Sequence, residues 1–340
     1  DLSGIWVAKF EAGYANATSE GEDTLNGVKV RSSDNKNTAP IKASSVNYSN
    51  YGGVVYAPKI ERQGVDPDAT SEGNIPARNW QDGVYGSTQT AIKYPTFQGS
   101  TYSMNYINHS ESYLISSKLT EEGNIYGFRS DSNSHLMKNS EWGAVAYLAQ
   151  SDYGFIGAGN TDIAINSKNL NNGGVSTTYE NGNKKASVYA VTGYNNANKE
   201  WNNGGENAST TSNIYGVYDM SGGLWERTPA YVANGNINLS RYGGAIAYDG
   251  NTQKTTSTPT TTVYPVSGSG TENEISQASW EANTKIYGDG VYETSLAGTG
   301  NENWNSDYSD FPTTSTPLFQ RGGDYWDGGS AGVFAFYRSS

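Results

Sequence analysis

The scarcity of apolar side chains constrains the fold of this 340-residue chain more than any other feature. Hydrophobic residues make up only 35% of the chain, and charged residues do not fill the deficit because they make up 16%. Disordered chains usually lack aromatic residues, whereas this chain has 8 Trp, 8 Phe and 26 Tyr. We therefore expect a folded domain with a modest core and long loops rich in Gly, Asn, Ser and Thr.

The charge balance argues against two classes of partner. The formal net charge is −12, whereas a nucleic-acid-binding protein needs a basic surface. The sequence has no basic cluster beyond Lys184 and Lys185, so we expect neither nucleic acid nor an anionic membrane surface as a partner. No apolar run approaches 18 residues, so we expect no membrane insertion by this segment. The chain begins abruptly at Asp1, which we interpret as the start of a fragment of a longer precursor.

The chain contains no cysteine. Disulfide bonds, thiolate metal sites and a cysteine nucleophile are all excluded by that absence. The absence of cysteine does not determine in which cellular compartment the protein is found.

Hydrophobic periodicity predicts three regular elements. Residues 4–11 have the pattern of a strand with Trp6 and Ala8 on one face. Helices are predicted near 101–118 and 139–150, the second because its apolar residues recur at helical spacing. Polar, turn-rich stretches near 12–100, 159–212 and 233–318 separate the patterned segments.

Four segments together resemble the formylglycine-generating enzyme (sulfatase-modifying factor) family. They are residues 4–11 (GIWVAKFE), 135–146 (HLMKNSEWGAVA), 213–226 (NIYGVYDMSGGLWE) and 321–326 (RGGDYW). The resemblance implies one α+β domain over residues 1–340 with a C-type-lectin-like fold: short antiparallel strands, two main helices and mostly irregular loops. The three polar stretches are then insertions, and this interpretation is preferred to a mucin-like linker at 255–262.

The departures from the family pattern predict a non-catalytic member. The activating enzymes use a cysteine pair, which this chain lacks, and related iron enzymes use three histidines. This chain has only His109 and His135, for which we expect structural hydrogen bonds. The family's terminal G-F-R is also missing, because the chain ends at Ser339 and Ser340. We therefore predict that the protein is not an enzyme.

The same resemblance extends to the variable binding proteins of diversity-generating retroelements, in which the segment after R-G-G carries ligand-facing side chains. Tyr and Trp offer large rigid contact areas, and Ser offers adaptable hydrogen bonding. The predicted ligand-binding residues are Asp324, Tyr325, Trp326, Asp327, Ser330 and Tyr337. Core packing is the alternative for Phe334 and Phe336, which alternate as in a strand. Core positions are also predicted for Trp6, Trp142 and Trp225, which fall within the segments that resemble the family.

The resemblance also implies a structural calcium site at Asp219, Gly222, Leu224 and Glu226. Calcium prefers six to eight oxygen ligands, and a turn built on two glycines can direct carbonyl groups inward. The alternative is that Asp219 and Glu226 accept hydrogen bonds from turn amides.

Two further patterns match known motifs only in part, and the alternatives are a turn or ligand loop at 328–332 and a weak surface ion site at 66–72. Residues 328–332 match G-x-S-x-G, but no histidine follows residue 135, so a nucleophile elbow is rejected. Residues 66–72 contain the first two carboxylates of an EF-hand loop, but they lack its glycine and its final glutamate.

The sequence thus predicts a ligand-binding or adhesion module displayed on a bacterial cell surface or a phage tail. A protein or glycan receptor, or copies of the same chain, are the expected partners, and the expected location is extracellular, on a cell surface or on a virion. The alternative is a structural subunit of an extracellular filament, pilus or virion. A third and weaker hypothesis is a glycosidase that uses a carboxylate pair, but nothing in the sequence places such a pair.

Overall fold

The computed structural model describes most of the chain from residue 108 onward. Its described ranges are 4–12, 108–120, 131–159, 161–168, 190–265, 286–295, 299–301 and 303–339, with residues 97, 99, 103, 128 and 129 and several two-residue strands. Most of the predicted insertion near 12–100, including the rejected EF-hand pattern at 66–72, lies outside these residues.

Three α-helices occur in the described part of the chain: α1 (His109–Ser117), α2 (Asn139–Ala149) and α3 (Ile237–Ala247). The strands are β1 (Thr24–Leu25), β2 (Val28–Lys29), β3 (Val54–Val55), β4 (Ala91–Ile92), β5 (Tyr179–Glu180), β6 (Asn183–Lys184), β7 (Glu226–Val232), β8 (Tyr248–Asp249), β9 (Thr252–Gln253), β10 (Thr262–Tyr264), β11 (Thr299–Gly300), β12 (Ser309–Asp310), β13 (Leu318–Arg321) and β14 (Phe336–Ser339). Helices and strands both contribute, so the α+β class is confirmed at this level.

A six-stranded sheet in the order β10-β7-β13-β14-β12-β11 organises the fold. The pairs β7–β13, β13–β14 and β11–β12 are antiparallel, whereas β7–β10 and β12–β14 are parallel. The expectation of antiparallel strands alone is therefore corrected to a mixed sheet. Parallel neighbours require long connections, and the segments that link these strands supply them.

Side chains from the two faces of this sheet enter separate cores. On one face, Tyr231 and Leu318 pack with α3 through Leu239 and Ile246. The opposite face carries the aromatic side chains of Tyr264, Phe311, Phe319 and Phe336. Phe334 and Phe336 are fully buried, so both pack in the core, as the alternative to ligand binding predicted.

Helix α2 forms where the apolar periodicity predicts it. Trp142, Val145, Ala146 and Ala149 are buried on one stripe. The carboxylate of Glu141 accepts the backbone N–H of Lys138 at 3.0 Å, which satisfies one of the donors at the start of the helix. The indole of Trp142 donates to the carbonyl of Val333 at 2.6 Å, which fixes the helix to the C-terminal segment.

Three sequence-based expectations about elements are corrected. Residues 4–12 form no strand, and Trp6 is fully exposed rather than in the core. The first helix begins at His109 and not near 101, because Ser103 is in a β-bridge and Asn108 lies outside the helix. Helix α3 lies inside the stretch 233–318. The sequence patterns did not predict it, because its surroundings are polar.

The polar stretches near 159–212 and 233–318 contribute to the interior. Ile163, Val191 and Tyr194 are buried in the first, and Leu239 and Tyr264 in the second. Parts of both stretches therefore contribute side chains to the buried core. Within the described residues, no helix combines the length and apolar character needed to cross a bilayer.

Candidate functional site

The turn that precedes β7 has an unusual backbone, because three of its residues adopt positive φ angles. The angles are 64° at Asp219, 78° at Gly222 and 77° at Gly223. A Cβ atom at Gly222 would lie 2.5 Å from the carbonyl oxygen of Asn166, so this position has no room for a side chain. Glycine is thus required here for both backbone and packing reasons.

Asp219 organises this turn as a hydrogen-bond acceptor. Its Oδ1 accepts the backbone N–H of Gly193 and the side-chain N–H of Asn166, both at 2.8 Å. Its Oδ2 lies 3.1 Å from the same Gly193 nitrogen and accepts the N–H of Glu11 at 3.3 Å. The side chain is 1% exposed, so the carboxylate joins three separate segments inside the protein.

Glu11 brings a second carboxylate to the turn, and sequence inspection did not select it. Its Oε1 accepts the hydroxyl of Ser103, and its Oε2 accepts the N–H of Leu224 at 3.3 Å. Burial, and then repulsion by Asp219 and Glu226, raises the pKa of Glu11 well above its ordinary value.

The pKa values of the carboxyl groups of Asp219 and Glu226 are raised as well. Burial raises the pKa of Asp219 to about 6, although the N–H donors oppose the shift. Burial and the charge of Asp219 raise the pKa of Glu226. The three carboxyl groups therefore need protons or a positive charge between them. We name Glu11, Asp219, Gly222, Gly223, Leu224 and Glu226 the Asp219 turn.

The oxygens of Asp219 accept hydrogen bonds from Glu11, Asn166 and Gly193, which belong to other segments, whereas the turn-amide alternative predicted donors within the turn. The carboxylates of Glu11 and Glu226 and the turn carbonyls are the oxygen atoms better suited to a cation. Among the described residues, no three His, Cys, Asp or Glu side chains are grouped closely enough to hold a metal ion.

The Asp219 turn is bonded directly to the C-terminal segment. The N–H of Gly222 donates to Gly322 at 3.0 Å, and the N–H of Tyr325 donates to the carbonyl of Gly223 at 2.9 Å. Arg321 pairs with Glu226 in the register of β13 and β7. Two regions that the sequence analysis selected separately are therefore neighbours in the fold.

Aromatic rings line the surface beside this junction. The ring of Tyr337 lies 5.5 Å from that of Trp225 and 5.8 Å from that of Tyr308, measured between centroids. All three residues are half-buried. Trp326 lies in the segment between β13 and β14 and is 58% exposed. Trp225 thus lies at a surface edge, where the sequence had predicted a core position.

Two aspartates shape the turn that carries Trp326. Oδ1 of Asp324 accepts the N–H of Trp326, and Oδ2 of Asp327 accepts the N–H of Asp324, each at 2.8 Å. The side chain of Trp225 also donates to Asp327. Burial and the charge of Asp327 raise the pKa of Asp324 to about 6. We call Trp225, Tyr308, Asp324, Trp326, Asp327 and Tyr337 the Trp326 surface.

The remaining predicted ligand residues take different positions. Tyr325 is buried, with 8% of its surface exposed, which removes its ring from contact with a ligand. Ser330 is half-buried and ends a short 3-10 turn, and its carbonyl accepts the N–H of Tyr308 at 2.9 Å. The G-x-S-x-G pattern therefore lies in this turn and in an extended segment, without a following helix.

Both histidines make structural hydrogen bonds. Nε2 of His109 donates to the carbonyl of Phe319 at 2.8 Å, and burial lowers the pKa of this fully buried ring well below its ordinary value. Nε2 of His135 lies 2.9 Å from Oε1 of Glu141, and this hydrogen bond raises the pKa of His135.

Asp307 is a buried acid that the sequence analysis did not select. Its Oδ2 accepts the N–H of Phe334 at 2.8 Å, whereas its Oδ1 has no hydrogen-bond partner among the described residues. Burial raises the pKa of Asp307 to about 8. Its position beside Gly332, inside the fold, makes it a structural acid rather than part of the surface.

No protein-family model and no curated protein matches this chain.

Proposed function

We propose that this protein is a non-catalytic binding module of the formylglycine-generating-enzyme-like and C-type-lectin-like class. We further propose that it is displayed on a bacterial cell surface or a phage tail, and that it contacts its receptor through the Trp326 surface. The observation that carries the proposal is an exposed tryptophan, Trp326, whose chain neighbour Asp327 accepts a hydrogen bond from Trp225, one of three half-buried aromatic rings in a row. Exposed aromatic clusters of this kind are typical of recognition surfaces.

The binding proposal is tested by asking whether any ligand depends on Trp326. The purified chain is applied to a glycan array and to a displayed peptide library, and each hit is measured again with Trp326→Ala. Because tryptophan in a recognition surface commonly contributes ~2 kcal/mol or more, we expect affinity to fall roughly thirtyfold. Tyr215→Ala, which removes another exposed ring in the 209–218 loop, should leave affinity unchanged. If every ligand binds Trp326→Ala as tightly as it binds the wild type, the Trp326 surface is not the binding site.

A structural subunit of an extracellular filament, pilus or virion is the second proposal, and a different observation favours it. Ile5 is 50% exposed and Trp6 is fully exposed, and their segment belongs to no helix or strand. Such a segment suits contact with another copy of the chain. Concentration-dependent light scattering that disappears in Trp6→Ser would support this proposal, and a monomer at all concentrations would contradict it.

We also propose that calcium supplies the positive charge that the Asp219 turn needs. Glu11 and Glu226 would provide carboxylate oxygens, and Gly222 and Leu224 would provide backbone carbonyls. Asp219 then acts as the hydrogen-bond acceptor that shapes the turn. Thermal unfolding with and without a chelator tests this proposal, as set out in the Discussion.

A further inference from the structure

The Trp326 surface combines two chemical features that favour the same type of ligand group. Aromatic ring faces carry partial negative charge and attract cations. The aspartates of the same turn carry full negative charge. We propose that this surface binds a cationic side chain, an arginine guanidinium or a lysine ammonium, presented by a protein partner. The inference rests on the proposed binding function and names the class of its ligand.

The rings are placed for such a contact. Trp326 keeps 58% of its surface exposed. Trp225, Tyr337 and Tyr308 form a continuous row, with neighbouring centroids 5.5 and 5.8 Å apart. A cation attracted to a ring lies within about 6 Å of its centroid. The row is connected to the turn of Trp326 because the side chain of Trp225 donates to Asp327, the residue that follows Trp326.

The carboxylates retain capacity to accept hydrogen bonds. Asp324 accepts the backbone N–H groups of Trp326 and Asp327, and Asp327 accepts the N–H of Asp324 and the side chain of Trp225. An ionised carboxyl group has about four acceptor positions. The two groups also repel each other, since the charge of Asp327 raises the pKa of Asp324. A cation placed between them relieves that repulsion and completes their hydrogen bonding.

The cations of the protein near this surface are already engaged. Residues 322–337 contain no lysine or arginine. Arg338 pairs with Asp310 at 3.2 Å, and Arg227 donates to Ser339 at 3.5 Å. Arg321 is fully buried and donates to the carbonyls of Asp289 and Gly290. Among the residues that the structure describes, these arginines leave no cation for the surface, so we infer that a partner supplies the positive charge, and a net charge of −12 favours the approach of a cationic one.

A neutral sugar explains fewer of these features. Its ring can lie against an aromatic face and its hydroxyls can donate to a carboxylate, but it brings no charge to balance Asp324 and Asp327. The acidic pair thus favours a cationic protein segment over a neutral glycan.

The test is selection from a displayed library of random peptides on the wild-type chain, with a glycan array in parallel. We expect the selected peptides to be enriched in arginine and lysine. Their affinity should fall roughly tenfold in Asp327→Asn and roughly thirtyfold in Trp326→Ala, because each change removes one attraction to the cation and the second also removes the contact area of the ring. Replacing the selected arginine by citrulline, which has the same shape without the charge, should produce a comparable loss. Tyr215→Ala is the matched control, and Asp324→Asn serves as a second acidic variant if Asp327→Asn unfolds.

The outcomes separate the two levels of the hypothesis. Basic peptides whose binding depends on Trp326 and on the aspartates support the inference. Neutral or acidic peptides, or glycans alone, that still depend on Trp326 overturn the cationic ligand and leave the binding function intact. Basic peptides that bind the aspartate variants with unchanged affinity also overturn it. If no ligand depends on Trp326, the inference and the proposed binding function both fail.

Discussion

The Asp219 turn and the Trp326 surface are neighbours that use the same residue types for different purposes. Both contain acidic side chains with raised pKa values, and the N–H of Tyr325 connects them through the carbonyl of Gly223 at 2.9 Å. Asp219 is buried and accepts hydrogen bonds from three N–H groups. Asp324 and Asp327 are half-buried beside an exposed tryptophan.

The difference shows that exposure and the supply of N–H donors determine what an acidic side chain does. A carboxylate whose oxygens are occupied by backbone donors holds the fold together. A carboxylate at the surface with unused acceptor positions is available to a partner. Four experiments can test this contrast between buried and exposed carboxylates.

Removal of the Asp219 carboxylate should have the largest effect on stability. Asp219→Ala leaves the donors of Gly193, Asn166 and Glu11 without their acceptor inside the protein. We expect the free energy of unfolding to fall by about 4 kcal/mol, measured by urea denaturation. Asp152→Ala, at an exposed position, is the control and should change it by less than about 0.5 kcal/mol. A loss below ~1 kcal/mol for Asp219→Ala would remove the distinction between the two regions.

The calcium-free protein should lose stability as the pH rises through the titration of Asp219. The pKa of this group is raised to about 6 in the folded state from an ordinary value of 3.8, so the native state holds the proton more strongly. The bound proton on Asp219 contributes its full stabilisation below pH ~4. The free energy of unfolding then declines by about 3 kcal/mol as the pH rises through 6 and the proton is released. Denaturation in chelator across this range measures the change. Asp219→Asn, which has no proton to release, should show a flatter profile, and an identical slope in both proteins would contradict the assignment.

Calcium should stabilise the protein through the Asp219 turn and not through the Trp326 surface. An ion that binds only the native state stabilises it by about 2.7 kcal/mol at ~100 times its dissociation constant. We therefore expect a chelator to lower the Tm of the wild type, and Glu226→Gln to abolish the difference. Asp327→Asn is the comparison and should keep the full response. A wild-type Tm that does not respond to chelator would leave protonation as the only counterbalance to these charges.

Trp326→Ala should have the smallest effect on stability, although we expect it to have a large effect on binding. The side chain is 58% exposed, so the free energy of unfolding should change by less than about 0.5 kcal/mol. Its neighbour Tyr325 is 8% exposed, and Tyr325→Ala should cost about 3 kcal/mol. Thermal melts of the two variants provide the measurement. Equal destabilisation would place Trp326 in the core and refute its role at a surface.

Local patterns predicted some parts of the fold well and others poorly. The apolar stripe of Trp142, Val145 and Ala149 predicted α2 nearly to its ends, because periodicity reports directly which face of a helix is buried. The same reasoning placed Trp6 in a strand and in the core, whereas Trp6 is fully exposed. Apolar alternation identifies a segment that can form a strand, but another strand must be available to pair with it. Helix α3 was missed because its surroundings are rich in Ser, Thr and Gly.

The candidate sites also contain some features that local sequence predicted and others that it did not. The two glycines after Asp219 predicted a tight turn, and the positive φ angles there agree with that expectation. Glu11 lies 208 residues earlier in the chain than Asp219, and no local pattern connects the two. Likewise, Trp225 and Tyr308 join Tyr337 only because β7, β12 and β14 belong to one sheet.

The sequence by itself determined the lack of cysteine chemistry, the position of α2 and the turn after Asp219. Each of these depends on residue identity or on neighbours within a few positions. Only the tertiary structure decided which acidic groups are buried together and which aromatic rings reach the surface. Burial, desolvation and charge repulsion depend on segments that the sheet brings together from distant parts of the chain. Local sequence patterns do not predict which distant segments pair.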